Sequence, residues 1–522
     1  MALDNNETLL SETGAVGSNA SLEVHPVEIV TPSQGSFSTA DALIYAHPDW
    51  TANWKQWKKY TDCYEATNIA EYIFQHIRET NSIFDRRVER SYYYNYVASV
   101  IDLFVSYLFH APITRTNEDS FPTDDLTSFY QNANRSGDTF HIFMQLVATF
   151  SQINGHCAVL VDMPMMEGIP YSEADRKKQG IRPHVTLLQS KQILDWELDE
   201  DDKFEWAKIE ICRPQNRSWK TPVDMDTRFF LIWAKDHWEE WKLTDSAETS
   251  ERPVKAELIR EGENPLGEVP IVVVRNERCI THPWMGLSTV RDIADINIGI
   301  LNWSSLGDEE IYERCLNVLA IEKSGMDNPV DLSHHDVLEF EAGSTPPFYL
   351  SPGQSPLELI GKWIDRAKDE IYRLAKMGGL AGVKGSREAT SGIAYAFEFN
   401  ETNQALSKKA ESLEQAEIEI HRLAAAWMNT EWKGSISYPR EFGVDDFLAE
   451  LQLLTEARTT LTSDTAIKEF EKKVMGKMFS REKQELRDKI QEEIETANPR
   501  PIGVLENFGS INPATLFGPS GP

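Results

Sequence analysis

The chain has 522 residues, of which 41% are apolar, and its 52 basic and 83 acidic side chains give a net charge of −31. That is enough apolar material for a substantial core in two or three regions, and the acidic balance opposes tight binding to a polyanion or reading of its sequence. Five widely spaced cysteines (Cys63, Cys157, Cys212, Cys279, Cys315) form no C-x-x-C pair and read as free thiols of a reducing compartment; no apolar run reaches transmembrane length.

Residues 1–40 are rich in Ser, Thr, Asn and Gly, which predicts a flexible arm, and they lack the basic start and apolar core of a signal peptide, so a cytosolic product is expected. Residues 45–150 read as mainly helical. Trp50, Trp54 and Trp57 near their start suit either an aromatic anchor on a neighbour or a buried core. From His156 to Arg275 the apolar period changes to two. Strands are predicted at Cys157–Val161, His184–Leu188, Trp206–Cys212, Phe229–Trp233 and Ile271–Val274.

A long helix is expected from about Gly286. Val290, Ile293, Ala294, Asn297 and Leu301 form one stripe, while Ile296, Ile298, Ile300 and Trp303 put apolar groups on other faces, so the helix is buried or packed between neighbours. Two short strands, Val318–Ile321 and Val337–Phe340, follow around the turn-rich Gly325–Pro329. Ser355-Pro356-Leu357-Glu358 is a capping box that starts a second helix. Its Leu357, Ile360, Ile364, Ala367, Ile371 and Leu374 recur at alternating three and four, one face for a partner helix, and Gly378-Gly379 supplies the left-handed stop.

The segment Gly379–Thr390 has glycines at three-residue intervals and two cations, Lys384 and Arg387, near its tip; it reads as a mobile loop or a surface linker. It is no phosphate-binding loop, because Lys384 precedes its glycine and a helix precedes the loop. From Ser391 to Met428 only Gly392 interrupts a run of strong helix formers, giving a helix of roughly 55 Å. Residues 444–497 return to helix with mixed charge, and 498–522 are a flexible tail.

Chemistry finds little support. The densest acids, Asp195, Glu197, Asp199, Glu200, Asp201 and Asp202, lack the alternation and central glycine of a calcium loop and read as a solvated turn. His334-His335 has no third ligand at zinc spacing, and no H-E-x-x-H or nucleophile elbow lies in an ordered segment. No metal or cofactor is expected.

The element order of residues 85–430 resembles the portal proteins of tailed bacteriophages. Three local matches carry the resemblance: Pro283-Trp284-Met285-Gly286-Leu287-Ser288 leading to a helix with Asp295, Asn297 and Asn302; Ser391-Gly392-Ile393-Ala394 after the glycine loop; and Ile101–Ile113, an apolar helix with a Pro-Ile exit. The resemblance implies a helix-rich α+β portal fold with wing, stem, clip and crown, assembled as a ring for which twelve subunits is the family expectation. It divides the chain into an arm (1–40), wing (41–282), stem helix (283–315), clip (316–354), second stem helix (355–378), tunnel loop (379–390), long wing helix (391–430), helical crown (431–497) and tail (498–522). The crown segment equally fits a generic helical hairpin.

The implied role is non-enzymatic: a channel at the capsid vertex for genome packaging and ejection. Lys384, Arg387, Gly382 and Gly385 of the tunnel loop would contact double-stranded DNA. The terminase large subunit, a head–tail adaptor, the major capsid protein and scaffolding protein are the implied partners, and the virion, after assembly in the host cytoplasm, the implied location. Two other readings stay open on the residues alone, a metal-dependent hydrolase using the acids of 195–202 and a scaffold or adaptor without a channel.

Overall fold

The computed structural model describes residues 38–116, 123–164, 181–212, 219–220, 227–244, 255–315, 318–320, 348–350, 355–377, 392–442, 464–478 and 484–496. The fold is mixed helix and sheet, and it divides into two compact units. The described residues of Met1–Trp54, Lys191–Asp199 and Phe204–Asn264 belong to the first unit, and the other described residues to the second.

The first unit is a five-stranded antiparallel meander in the order β4 (Ile193–Leu198), β5 (Phe204–Ile211), β6 (Thr227–Ala234), β7 (His237–Thr244) and β8 (Lys255–Glu263). Helix α1 (Thr39–Ile44) and the first turns of α2 (Pro48–Glu65) belong to it. Ser38 caps α1 by accepting the amide of Asp41. At the other end of α1, the buried Lys208 ammonium donates to the carbonyls of Ala42 and Tyr45, both at 2.6 Å, where the helix presents its negative end. Trp50 is buried and stacks on Trp54, its indole donating to the carbonyl of Lys191; of the two fates open to the tryptophans, core is the one observed.

Three strands of this sheet went unread in the sequence. β4 contains Asp195 and Glu197, so the acidic stretch is not a turn throughout: its first half is a strand that buries Ile193, Leu194 and Trp196. β7 and β8 are charge-rich, and β8 is an edge strand of the sheet, where charged side chains discourage further pairing.

The second unit is built around a three-stranded antiparallel sheet in the order β3 (His184–Gln189), β2 (His156–Asp162), β9 (Ile271–Arg275). Helices α6 (Phe140–Asn154) and α9 (Gly392–Trp427) both pack on this sheet. Six consecutive residues of β2 are buried, as a strand covered on both faces requires. Further helices are α3 (Asn81–Arg90), α4 (Tyr96–Leu108), α5 (Thr123–Gln131), α7 (Ala294–Cys315), α8 (Ser355–Leu374), α10 (Asp464–Met478) and α11 (Gln484–Thr496).

A strip of β1 (Thr114–Thr116) paired with β12 (Ser435–Ser437) is fastened to α9 by charge. The fully buried Glu417 takes the guanidinium of Arg115 and, at 2.6 Å, the hydroxyl of Tyr438. Cys63, Cys157, Cys212 and Cys279 are free thiols. Among the described residues no helix is long and apolar enough to cross a membrane.

Candidate functional site

The helix expected from Gly286 begins eight residues later, at Ala294. The reason is tertiary. The segment before it is bonded to the end of α6: the Ser288 hydroxyl donates to the carbonyls of Gln152 (3.2 Å) and Ile153 (2.5 Å), and the Thr289 amide to Gln152 (3.0 Å). Gly155, at φ +87°, terminates α6 and touches Gly286 backbone to backbone; a Cβ on either would fall 2.1–2.3 Å from the other's carbonyl oxygen. Neither position admits a side chain.

Asn276 completes this joint. Its amide donates to the carbonyl of Gly155 and its carboxamide to that of Leu287, each at 2.8 Å. From α9, the buried Lys409 ammonium reaches the Asn276 carboxamide oxygen and, at 2.9 Å, the Thr289 hydroxyl. Burial pushes the Lys409 pKa down to about 7; Glu277 opposes that shift and Lys376 adds to it. One side chain thus ties the long helix to the segment that feeds α7.

Helix α7 meets a different neighbour on each face. Asn297, fully buried, accepts from the amides of Tyr96 and Val97 and donates to the carbonyl of Tyr94, which caps the start of α4. Gly307 faces α8, where a Cβ would lie 3.6 Å from Ile360, an ordinary packing distance. Two residues away on either side, Ser305 and Glu309 face α3: Ser305 accepts from Arg87 at 2.7 Å, and Glu309 pairs with Arg86 and Arg90. Arg87 is 1% exposed and forms a two-point bond with Glu79 at 2.7 and 2.9 Å, which holds that carboxyl below the usual range. Among the side chains that α7 and α8 expose are three large apolar ones, Trp303, Leu359 and Trp363, with the guanidinium of Arg366 over the Trp363 ring.

Helix α8 stops differently from the glycine end that its sequence predicts. Lys376 takes the left-handed conformation at φ 58°, its amide bonds the Arg373 carbonyl and that of Met377 the Tyr372 carbonyl, a Schellman closure two residues before Gly378. A non-glycine residue there costs about 1 kcal/mol. Two contacts hold it: Met377 is fully buried, and the Thr402 hydroxyl of α9 donates to the Lys376 carbonyl.

The sequence matches no protein-family model. No curated protein matches it either. Solved structures with some likeness include a chain of the neck of a native GTA particle computed with C12 symmetry, at 11% identity over 81% of this chain and 94% of that one, with a TM-score of 0.41. A chain from the virion of a native gene transfer agent particle gives 11% identity over 78% and 91%, also at 0.41. A chain from the neck of an empty GTA particle computed with C6 symmetry gives 12% over 71% and 88%, at 0.38. At these scores the likeness assigns this chain neither an architecture nor a role.

Lys384, Arg387, Gly382 and Gly385 lie outside the described residues, as do Val337–Phe340 and His334-His335. The strand β10 (Val318–Ala320) pairs instead with β11 (Phe348–Leu350) of the same chain. The acids of 195–202 are not a free cluster: Asp195 lies 3.6 Å from Lys208, and Asp199 shares the Lys235 ammonium with Glu205. Among the described residues no group of three or more His, Cys, Asp or Glu could hold a metal ion.

Sequence reasoning missed the joint at Lys409 and the Arg87–Glu79 pair. The available signal was a lysine at a position that interrupts the apolar face of α9; periodicity marks such a residue as out of place without naming its partner.

Proposed function

We propose that this chain is a portal protein: a ring-forming subunit whose α7 and α8 line an axial channel for double-stranded DNA at the capsid vertex of a tailed phage. The observation that carries the reading is the order α7, β10/β11 pair, α8, long α9, with α7 and α8 packed side by side and large aromatic residues left outward on them. A helix pair of this kind is incomplete alone and suited to lateral neighbours. The acidic balance agrees with a conduit, since a wall that attracted phosphates strongly would retain the duplex rather than let it slide.

In this reading residues 316–354 are the clip that docks the terminase large subunit and later a head–tail adaptor, and 379–390 form the tunnel loop in which Lys384 and Arg387 touch the moving backbone. Residues 431–497 face the capsid interior, and capsid and scaffolding proteins surround the ring. The protein supplies no catalysis, packaging being driven by a separate ATPase, and it resides in the virion. Lysine pairing of Asp195 and Asp199 speaks against the metal-dependent hydrolase.

Negative-stain images of the purified protein are the first test. Rings with a central hole are expected, and a compact monomer would overturn the reading. Shortening residues 380–389 should leave rings intact and impair DNA packaging or retention; packaging equal to wild type would remove the tunnel-loop role.

A further inference from the structure

Helix α1 has six residues, too few for a helix to persist in water alone, so it exists because it is docked on the sheet of the first unit. Leu43 is buried there, and the Lys208 ammonium of β5 donates to the carbonyls of Ala42 and Tyr45, both at 2.6 Å. Just beyond, the chain is anchored independently. The His47 amide donates to the Leu194 carbonyl at 2.8 Å, the His47 ring stacks on Trp196, and the Trp50 indole of α2 bonds the Lys191 carbonyl. Residues 39–45 can therefore lift from the sheet while α2 stays in place.

The bond that holds α1 is made by a charge taken out of water. Lys208 is 3% exposed, and an ammonium carries three N–H donors. Two serve the helix carbonyls, while the Asp195 carboxylate of β4 stands 3.6 Å off. Arg228 of β6, bonded to Glu210, adds a second positive charge; the Tyr45 ring lies 5.8 Å from the ammonium, His47 acts on Asp195, and Asp41 is taken by Ser38 at the far end of α1. A neutral amine keeps two N–H groups, enough for both carbonyls, and carries no buried charge. Asp195 then still accepts the Trp196 amide.

Burial accordingly pushes the Lys208 pKa down to about 8, Asp195 opposing and Arg228 adding to the shift. With α1 lifted, the side chain regains water and its ordinary value of about 10.4. Between these values the lifted form binds more protons, so docking strengthens as pH rises. Below about 8 both forms are charged, and docking is constant and at its weakest.

We propose that α1 is a proton-governed latch, in which docking of Thr39–Ile44 on the sheet and release of the Lys208 proton drive each other. Residues 1–37, which precede it in the chain, are thereby held loosely near neutrality and tightly in alkali. The latch lies within the first unit of one subunit and is independent of the portal reading.

The test is hydrogen exchange on the full-length protein, with millisecond labelling from pH 7 to 9.5. It is read by mass on the peptide covering residues 39–47 and expressed relative to the intrinsic exchange rate at each pH. Protection of that peptide is expected to rise about tenfold or more over this range. Flat or falling protection overturns the latch. An equal rise in Phe229–Trp233 of β6 does so too, because it would report the whole sheet and not α1. Lys208→Arg, charged throughout, and Lys208→Met, with no proton to lose, should each abolish the rise while β6 stays as protected as in wild type. A rise that persists in Lys208→Met overturns the assignment to Lys208. The wild-type profile requires no substitution, so a variant that fails to fold leaves the latch exposed to refutation.

Discussion

Around β2, helices α6 and α9 enclose six buried strand residues, and the polar groups drawn in with them at the joint are held by partners, as Lys409 is by Asn276 and Thr289. Along α7 and α8 the inner faces meet at ordinary packing distance, yet Trp303, Leu359 and Trp363 remain in water. The first region is finished within one chain. The second leaves large apolar side chains in water, and the difference separates residues that hold the fold together from residues free to act on a partner.

Substitutions can break that contrast, and the largest effect belongs to the finished region. Gly286→Val puts a side chain where the Gly155 carbonyl stands, with no flexible atom to give way, so loss of soluble protein or a drop of more than about 4 kcal/mol is expected in denaturant unfolding. A soluble, wild-type-like Gly286→Val would show that the joint is looser than described. Next comes Arg87→Met, which strands the buried Glu79 and Ser305; removing one partner of such a pair costs about 3–5 kcal/mol. A loss under about 1 kcal/mol would place that pair in solvent.

Lys409→Met reads the joint through pH. The folded pKa lies near 7, below the unfolded value of about 10.4. Between those values the unfolded chain binds more protons, so this group makes stability rise with pH over that window, and below about pH 7 its contribution is constant. The difference in melting temperature between wild type and Lys409→Met should therefore shift in favour of wild type from pH 7 to pH 10. A difference independent of pH would mean that Lys409 keeps an ordinary pKa.

The smallest effect on the subunit belongs to the unfinished region. Trp303→Ser and Trp363→Ser are expected to change the stability of the isolated subunit by no more than about 0.5 kcal/mol, while assembly measured by sedimentation falls sharply. If both lose several kcal/mol, the outward face is core and the contrast fails.

Much of the helical frame was legible. The stripe from Leu357 to Leu374 states a face for a partner helix, and Ile360 indeed meets α7 at Gly307. The 36-residue α9 follows from an unbroken run of helix formers, and the strands β2, β3, β5, β6 and β9 from alternation. Legibility failed where a local signal was spent on a distant partner. Gly286 reads as a helix start and lies against Gly155 instead; Gly378-Gly379 reads as a stop, and Lys376 turns first because Met377 finds a buried place. The acids at Asp195 and Glu197 read as a turn because charge is a surface signal, yet Lys208 and the alternate inward residues make them part of a strand.

The sequence by itself determined most of the helical frame and the strands β2, β3, β5, β6 and β9, because propensity and period are properties of neighbouring residues. It also set a net charge of −31, which opposes tight binding to a polyanion. Only the tertiary structure decided where α7 begins, that Gly155 and Gly286 touch, and that Lys409 is buried, since each depends on groups more than a hundred residues apart in the chain. The same holds for the outward aromatics. Trp303 and Trp363 are apolar in any reading, and only the packing of α7 on α8 reveals that one chain leaves them uncovered.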